Sequence, residues 1–253
     1  MIALRSLAFN ALAALWTVAL LVVCVPLLAW RRGAAWGMAL WARGIELLLA
    51  HVVGLRWTLE GAANLPSAAA IVAANHQSAW ETVMLHRILR DPAFVLKREL
   101  VYVPNGWYAW RAGAIPVDRS GGAAAMRAMV GAARRALKRG QTVVIFPQGT
   151  RTAPGVRRPF HPGVAALYRG LAVPVVPIAH NAGSFWGRKT FLKRPGTITV
   201  QVLPAMTPGL DRAQFMDRLT ADIERAAERL TAQARLEQNV NEGHAGHDRE
   251  RTP

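Results

Sequence analysis

Cysteine is nearly absent from this sequence, and acidic residues are scarce. The single cysteine, Cys24, lies inside an apolar run, so a disulfide framework and a cysteine-based zinc site are both excluded. The chain has 15 Asp and Glu against 31 Lys and Arg, which gives a formal net charge of +16. This imbalance predicts a partner that carries negative charge: nucleic acid, anionic lipid or an acidic carrier protein.

Two kinds of motif are also missing. The sequence has no G-x-S-x-G nucleophile elbow, which argues against a serine hydrolase. Its basic residues are scattered and form no recognised nucleic-acid-binding motif, so nucleic acid is not the expected partner. A chain of 253 residues is long enough for one domain with a terminal extension, and we expect one active site.

Charge is missing altogether from residues 7–30. As a helix this stretch would reach about 36 Å, which is enough to cross a bilayer. A cleaved secretory signal is the less favoured interpretation, because the stretch ends in Trp30-Arg31-Arg32 rather than in small residues. The arginines that follow predict that the rest of the chain lies on the cytoplasmic face of a bacterial inner membrane. A buried core helix and a half-inserted helix pair that extends to Leu49 remain alternatives.

Beyond this stretch, short β-rich runs alternate with helical segments. The pattern predicts an α/β fold, a single mixed sheet flanked by helices, with an N-terminal membrane-anchoring helix or helix pair. We expect the anchor over residues 1–51, one domain over residues 52–236 and a disordered polar tail over residues 237–253. Runs rich in Val and Ile predict strands at 55–59, 69–74, 94–97, 114–117, 142–146, 173–178 and 197–203. Helices are predicted at 79–90, at 123–139 and after an Asp211 to Gln214 capping box.

Residues 75–82, N-H-Q-S-A-W-E-T, contain a candidate catalytic pair. A histidine can act as a general base when a carboxylate five positions on holds its tautomer, provided that a turn separates the two. Ser78 supplies this break, because Ser-x-x-Glu before an apolar run is typical of a helix capping box. The same pattern leaves open that Glu81 caps the helix and has no part in chemistry.

Two basic segments and one apolar segment follow. Residues 113–119, G-A-I-P-V-D-R, and residues 146–151, F-P-Q-G-T-R, each place an arginine just after a predicted strand. Backbone N–H groups and a guanidinium could converge there on a phosphate, although a surface turn with a solvated arginine is the simpler alternative. Residues 173–178, V-P-V-V-P-I, read as a buried strand.

In this order and spacing, the four segments resemble the glycerolipid acyltransferase family, in particular the 1-acylglycerol-3-phosphate acyltransferases. The family pattern is N-H-x-x-x-x-D, then G-x-I-x-x-D-R, then F-P-E-G-T-R and a V-P-x-x-P strand. The resemblance implies transfer of a fatty acyl group from acyl-coenzyme A or acyl-carrier protein to a lysophospholipid hydroxyl at an anionic membrane. It implies no acyl-enzyme and neither a metal nor a redox cofactor.

The resemblance also assigns roles to residues of this sequence. His76 corresponds to the catalytic base, and Glu81 to the carboxylate that orients and charges it. A phosphate of the acceptor is expected to bind at Lys97, Arg119, Gly149, Thr150 and Arg151.

Two residues depart from the family pattern. Glu81 stands in place of Asp, and Gln148 in place of Glu, which removes a negative charge from the expected acceptor site. A different acceptor, such as lyso-ornithine lipid, therefore stays open, as does a non-catalytic lipid-binding module. His161 stands where relatives commonly have a basic residue, and the sequence assigns it no role.

Overall fold

The computed structural model describes the backbone of residues 1–249 and the side chains of residues 1–239. The described residues form one seven-stranded sheet in the order β1-β7-β6-β2-β5-β3-β4. Neighbouring strands are parallel except β6 and β7. The predicted mixed sheet is therefore confirmed, and each predicted strand overlaps an observed one. The strands are β1 Leu55–Glu60, β2 Ile71–Ala74, β3 Pro92–Lys97, β4 Ile115–Val117, β5 Thr142–Ile145, β6 Val175–His180 and β7 Gly196–Val202.

Seven α-helices accompany the sheet in the described part of the chain. Two of them, α3 and α5, match the predicted helices closely, although α3 ends earlier because Leu89 is extended and Pro92 begins a strand. The predicted capping box is confirmed at the start of α7, where Asp211 and Gln214 bond each other's backbone N–H groups. The helices are α1 Ile2–Val23, α2 Arg31–Leu48, α3 Trp80–Ile88, α4 Pro104–Ala112, α5 Gly122–Lys138, α6 Gly163–Leu171 and α7 Arg212–Arg249.

Helix α7 extends into the segment expected to be a disordered tail, residues 237–253. Residues 250–253 lie outside the described residues, and so do the side chains from residue 240 onward. The tail and the proposed division of the chain at residues 51 and 236 therefore stay predictions.

Apolar layers cover both faces of the sheet. Because side chains alternate along a strand, β2 sends Val72 and Ala74 to one face and Ile71 and Ala73 to the other. Helices α1, α2 and α3 contribute to the first layer, whereas α5 and α6 pack in the second. The central strands β2, β5 and β6 are buried along their whole length, as expected of strands that are covered on both sides.

Helix α1 and the helical segment Arg31–Val53, which begins with α2, are each long and apolar enough to cross a membrane by length and composition. They pack on each other, with Trp16 Nε1 donating to the Trp41 carbonyl oxygen and Trp41 Nε1 donating to Thr17 Oγ1. Only a small part of α1 is buried, whereas α2 contributes Ala42 and Ile45 to the layer on the sheet. Most of the α1 surface is therefore exposed.

Both ends of α1 are attached to the rest of the protein. Near its start, the ring of Phe9 packs edge-on against Trp186 at 5.6 Å. Near its end, the Tyr108 hydroxyl donates to the Leu21 carbonyl oxygen at 3.1 Å. The helix consequently lies along the domain instead of projecting away from it.

The sheet topology gathers the sequence motifs at one edge. Strands β2, β5, β3 and β4 are consecutive parallel neighbours, so their carboxyl ends meet there. His76 follows β2, Phe146 follows β5, Lys97 ends β3, and Arg119 follows β4. This edge is where a ligand is expected to bind in an open α/β sheet.

Candidate active site

His76 and Glu81 form a hydrogen-bonded pair in the turn between β2 and α3. Nδ1 of His76 lies 2.7 Å from Oε1 of Glu81. The Glu81 side chain is 1% exposed, whereas that of His76 is 14% exposed and forms part of the cavity wall. A carboxylate can only accept a hydrogen bond, so Nδ1 carries the proton. Nε2 is then the nitrogen that is free to take up a proton from a ligand.

Glu81 also serves the start of α3. Its Oε1 accepts hydrogen bonds from the backbone N–H groups of Gln77 and Ser78, and Oε2 also accepts from Ser78. Ser78 Oγ accepts from the N–H of Trp80. One carboxylate therefore both caps the turn and holds the His76 ring, and its part in chemistry stays a prediction.

Hydrogen bonds keep Glu81 charged although it is buried. Burial on its own would raise the pKa of Glu81, and a protonated His180 would lower it. His180 has the geometry of a neutral ring, however, because its Nδ1 accepts from Ala182 N–H and its Nε2 donates to the Asn75 carbonyl oxygen. Burial lowers the pKa of His180. The hydrogen bonds that Glu81 accepts from His76 and Ser78 favour its charged form and lower its pKa, which opposes the effect of burial.

The sequence alone did not predict that His180 lies next to Glu81. It is 1% exposed, and its Nε2 lies 3.9 Å from Oε2 of Glu81. The Asn75 side chain bonds both the N–H and the carbonyl oxygen of His180, which joins the end of β6 to the histidine turn. The one feature of the sequence that could have indicated this position is that a histidine follows the apolar run 173–178, which we interpreted only as a buried strand.

Gln148 faces the backbone of His76 and does not line the cavity. Its Oε1 accepts from the His76 N–H at 2.6 Å, and its Nε2 donates to Thr152 Oγ1. The N–H of Thr152 in turn donates to the His76 carbonyl oxygen at 2.8 Å. Packing therefore directs this side chain to the histidine turn, and the expectation that Gln148 removes a charge from the acceptor site stays a prediction.

Phe146 fixes the plane of the His76 ring. Its ring stacks on His76 with the centroids 4.2 Å apart and the planes 14° from parallel. Phe94 stacks behind Phe146 at 6.2 Å. The histidine is therefore held by a hydrogen bond at one nitrogen and by an apolar contact across its face.

All three predicted cationic residues line the same cavity, and we call the part that they form the cationic wall. Lys97, Arg119 and Arg151 line it, together with Gly149 and His161, whereas Thr150 does not. The Nε atom of Arg151 is buried and has no hydrogen-bond partner in the described part of the chain. Lys97 lies toward the outside, because its side chain is 51% exposed and its Nζ is 3.3 Å from Glu99 Oε1.

The lack of a side chain at Gly149 lets His161 and Arg119 come close to the loop that carries Arg151. Its φ of +67° belongs to the left-handed region that disfavours side chains. A Cβ atom at this position would lie 2.6 Å from the His161 ring and 3.8 Å from Nη1 of Arg119. His161 and Arg119 therefore converge over the glycine, which brings the His161 ring to the wall that holds Arg151.

The rest of the cavity is apolar. It has a volume of about 720 Å³, which is within the range of about 300–1,000 Å³ typical of ligand sites. Its apolar lining comes from α2, α4, α5 and the segment after β3, and includes Met38, Trp41, Leu96, Leu100, Val103, Met126 and Met129. A cavity with one cationic part and an otherwise apolar lining suits an amphiphile that has an anionic head and a long apolar chain.

Known proteins with similar sequences identify the family. A family model described as Acyltransferase matches residues 56–181. The 1-acyl-sn-glycerol-3-phosphate acyltransferase of Pseudomonas aeruginosa is 38% identical over 182 residues, which cover 72% of this chain and 71% of that protein. This chain belongs to the acyltransferase family. The predicted resemblance is thereby confirmed.

Two further proteins are similar to this acyltransferase. The human 1-acyl-sn-glycerol-3-phosphate acyltransferase alpha is 31% identical over 203 residues, covering 77% of this chain and 70% of that protein. The crystal structure of the 1-acyl-sn-glycerophosphate acyltransferase from Thermotoga maritima aligns with a TM-score of 0.74 over 92% of this chain and 98% of that one. At 20% identity, this last likeness establishes the shared fold.

The matched region of the acyltransferase contains the histidine turn and all the cationic residues of the cavity. It begins within β1 and ends just after β6, so it includes His76, Glu81 and the buried His180. Helices α1, α2 and α7 lie outside it. The cavity extends beyond the matched region through Met38 and Trp41, so α2 completes its lining.

Proposed function

We propose that this acyltransferase moves a fatty acyl group from acyl-coenzyme A or acyl-carrier protein to the sn-2 hydroxyl of 1-acylglycerol-3-phosphate, giving phosphatidic acid. One observation carries the proposal. The His76–Glu81 pair and the cationic wall open onto the same cavity, and the rest of that cavity is apolar. The names of the similar proteins support the same acceptor.

His76 is the proposed general base. Nε2 accepts the proton of the acceptor hydroxyl while its oxygen attacks the thioester carbonyl carbon. The carbon–sulfur bond then breaks, and the imidazolium returns the proton to the departing thiolate. Glu81 stabilises the positive charge that appears on the ring, and its low pKa keeps it ionised for this purpose.

Arg119 and Arg151 are the proposed phosphate ligands, with Lys97 at the outer end of the same wall. The buried and unpartnered Nε of Arg151 supports this role, because an unpaired guanidinium nitrogen is costly without a ligand. Gly149 contributes by letting His161 and Arg119 approach each other. Thr150 has the weakest support among these residues, because its side chain is not part of the cavity wall.

We further propose that the protein is attached to the cytoplasmic face of a bacterial inner membrane. Attachment of α1 to the domain at both ends favours a helix pair that lies within one leaflet over a pair that spans the bilayer. A lysophospholipid could then enter the apolar cavity directly from the membrane, through the side bordered by α2.

The test uses purified full-length protein in detergent with labelled acyl-coenzyme A and acyl-carrier protein. A panel of lysolipids that includes 1-acylglycerol-3-phosphate and lyso-ornithine lipid is offered, and products are identified by mass. We expect phosphatidic acid as the main product. His76→Ala should lower turnover by about 10²- to 10⁴-fold at an unchanged melting temperature, as expected when a general base is lost.

Three other results of this assay would each change a different part of the proposal. Preferential acylation of lyso-ornithine lipid would overturn the acceptor while leaving the base in place. Binding of lysolipid without any product would favour a non-catalytic lipid-binding module. Normal turnover by a folded His76→Ala variant would overturn the proposed mechanism.

A further inference from the structure

An exposed loop before β7 combines basic and large apolar side chains. Residues 188–194, R-K-T-F-L-K-R, contain four basic residues and no acidic one; we call them the basic loop. Six of the seven are exposed, and Phe191 and Leu192 are 51% and 44% exposed. Lys193 alone is buried.

Lys193 attaches the basic loop to the first half of α1. Its Nζ donates to Asn10 Oδ1 at 2.6 Å and lies within 5.4 Å of the ring centroids of Phe9 and Trp186. The backbone N–H of Lys193 donates to Ser6 Oγ at 2.9 Å. Burial lowers the pKa of Lys193. A buried lysine with amide and aromatic partners is suited to holding a loop in position, and here it holds the loop against α1.

The basic loop therefore borders an apolar stripe on α1. Residues spaced by three or four along α1 share one face of the helix, and one such face carries the exposed apolar residues Leu4, Leu7, Ala11, Leu15, Val18 and Val22. Asn10, which contacts the loop, lies between Leu7 and Ala11 in the chain. An apolar face bordered by Lys and Arg is typical of structures that lie in a membrane interface.

We propose that the basic loop is a second membrane-contact element, which docks on anionic phospholipid. Arg188, Lys189 and Arg194 would face the headgroups while Phe191 and Leu192 enter the interface beside the α1 stripe. The charge of the loop matches a surface of anionic lipid, and its exposed apolar residues match the acyl boundary.

The loop also contacts the active site. Nη1 of Arg188 donates to the carbonyl oxygen of Arg151 at 3.2 Å. Docking of the loop on lipid would therefore hold the cationic wall of the cavity close to the membrane surface. This arrangement places the proposed headgroup site on the side of the protein from which a lysophospholipid arrives.

A fluorescent probe on the loop tests the contact. Phe191→Cys in a Cys24→Ala background carries a polarity-sensitive dye in the full-length protein, bound to vesicles of phosphatidylcholine with increasing phosphatidylglycerol. We expect a blue shift, and quenching by nitroxide-labelled lipid, that grow with phosphatidylglycerol. Lys138→Cys is the control, because it is exposed on α5, which packs on the other face of the sheet, and it should not respond.

A charge-deletion pair tests the dependence on anionic lipid. At a given phosphatidylglycerol content, the Lys189→Gln/Arg194→Gln variant should bind the vesicles about fivefold more weakly for each charge removed, because each basic residue near such a surface contributes about 1 kcal/mol. Arg127→Gln/Lys138→Gln loses the same charge from exposed positions on α5 and should behave like the parent. Equal blue shifts on vesicles with and without phosphatidylglycerol would overturn the anionic preference. A probe at position 191 that stays in water on both would overturn the docking itself.

Discussion

Glu81 has two functions that one substitution separates only in part. In Glu81→Gln the new amide group would replace Oε2, which accepts from the Ser78 N–H and lies 3.9 Å from His180. The amide would then face donors, so the helix start loses about 1–3 kcal/mol. The imidazolium loses its negative partner at the same time, and we expect kcat to fall by about 10²-fold or more.

Ser78→Ala is the matched control for this prediction. It removes the bond from Trp80 N–H to Ser78 Oγ and costs about 1 kcal/mol of stability, as is typical of a lost cap. It leaves the His76–Glu81 pair intact, so its kcat should stay close to that of the parent below the melting transition. Equal kcat in Glu81→Gln and Ser78→Ala would leave Glu81 as a helix cap only.

Gln148 is expected to affect turnover and not acceptor binding. Gln148→Met leaves the part-buried His76 N–H without its acceptor at 2.6 Å, so the turn can shift. A shift of about 1 Å is enough to cost up to about 10²-fold in kcat. Gln148→Glu keeps an acceptor for His76, and the Thr152 hydroxyl can turn to donate to it. We therefore expect near-normal kcat for Gln148→Glu.

The measurement for Gln148 is a comparison of kcat with acceptor KM for both variants. KM should be unchanged in each, because the side chain is not in the cavity wall. A large rise in KM for Gln148→Glu would show that this position contacts the acceptor after all.

At the scale of elements, the loop between β5 and α6 depends on Gly149. Gly149→Ala has to adopt a φ of +67° and to displace the His161 ring, which a Cβ would approach to 2.6 Å. The backbone conformation costs about 1–2 kcal/mol. The moved His161 and Arg119 should raise the acceptor KM, measured with saturating acyl donor.

Gly140→Ala is a control that introduces backbone strain without displacing the His161 ring. Gly140 has a φ of +77°, and a Cβ there meets nothing within 4 Å. This control should lose a similar amount of thermal stability and keep its acceptor KM. If both variants kept the parental KM, the approach of His161 to Gly149 would have no part in acceptor binding.

At the scale of the whole molecule, α1 is both a packing element and the proposed membrane contact. Replacing Leu15, Val18 and Val22 with Gln changes side chains that are 67%, 59% and 68% exposed, so the melting temperature in detergent should stay close to that of the parent. Each replacement removes about 1.5–3 kcal/mol of favourable burial if the side chain lies in lipid. We expect the triple variant to leave the pelleted membrane fraction.

Deletion of residues 1–33 provides the contrast. It removes Phe9 from the core and Asn10 from Lys193, so this protein should be less stable as well as less membrane-bound. A triple Gln variant that remains fully in the pellet under high salt would exclude the exposed face of α1 as the membrane contact.

The sequence by itself determined the sheet, the nature of the site and the family. Runs of Val and Ile are local signals, and those of β2, β5 and β6 are strong because these strands are buried on both sides. The motif residues could be placed together because the carboxyl ends of parallel strands share one edge of a sheet. Lys97, Arg119 and Arg151 accordingly line one cavity.

Only the tertiary structure decided where side chains point at that edge. Gln148 and His76 are 72 residues apart, and Asn75 and His180 are 105 residues apart. No local pattern encodes such contacts, because the packing of different strand ends sets the direction of each side chain. The position of α1 was decided in the same way. Its composition suits either a spanning or an in-plane helix, and the contacts of Phe9 and Leu21 at its two ends place it along the domain.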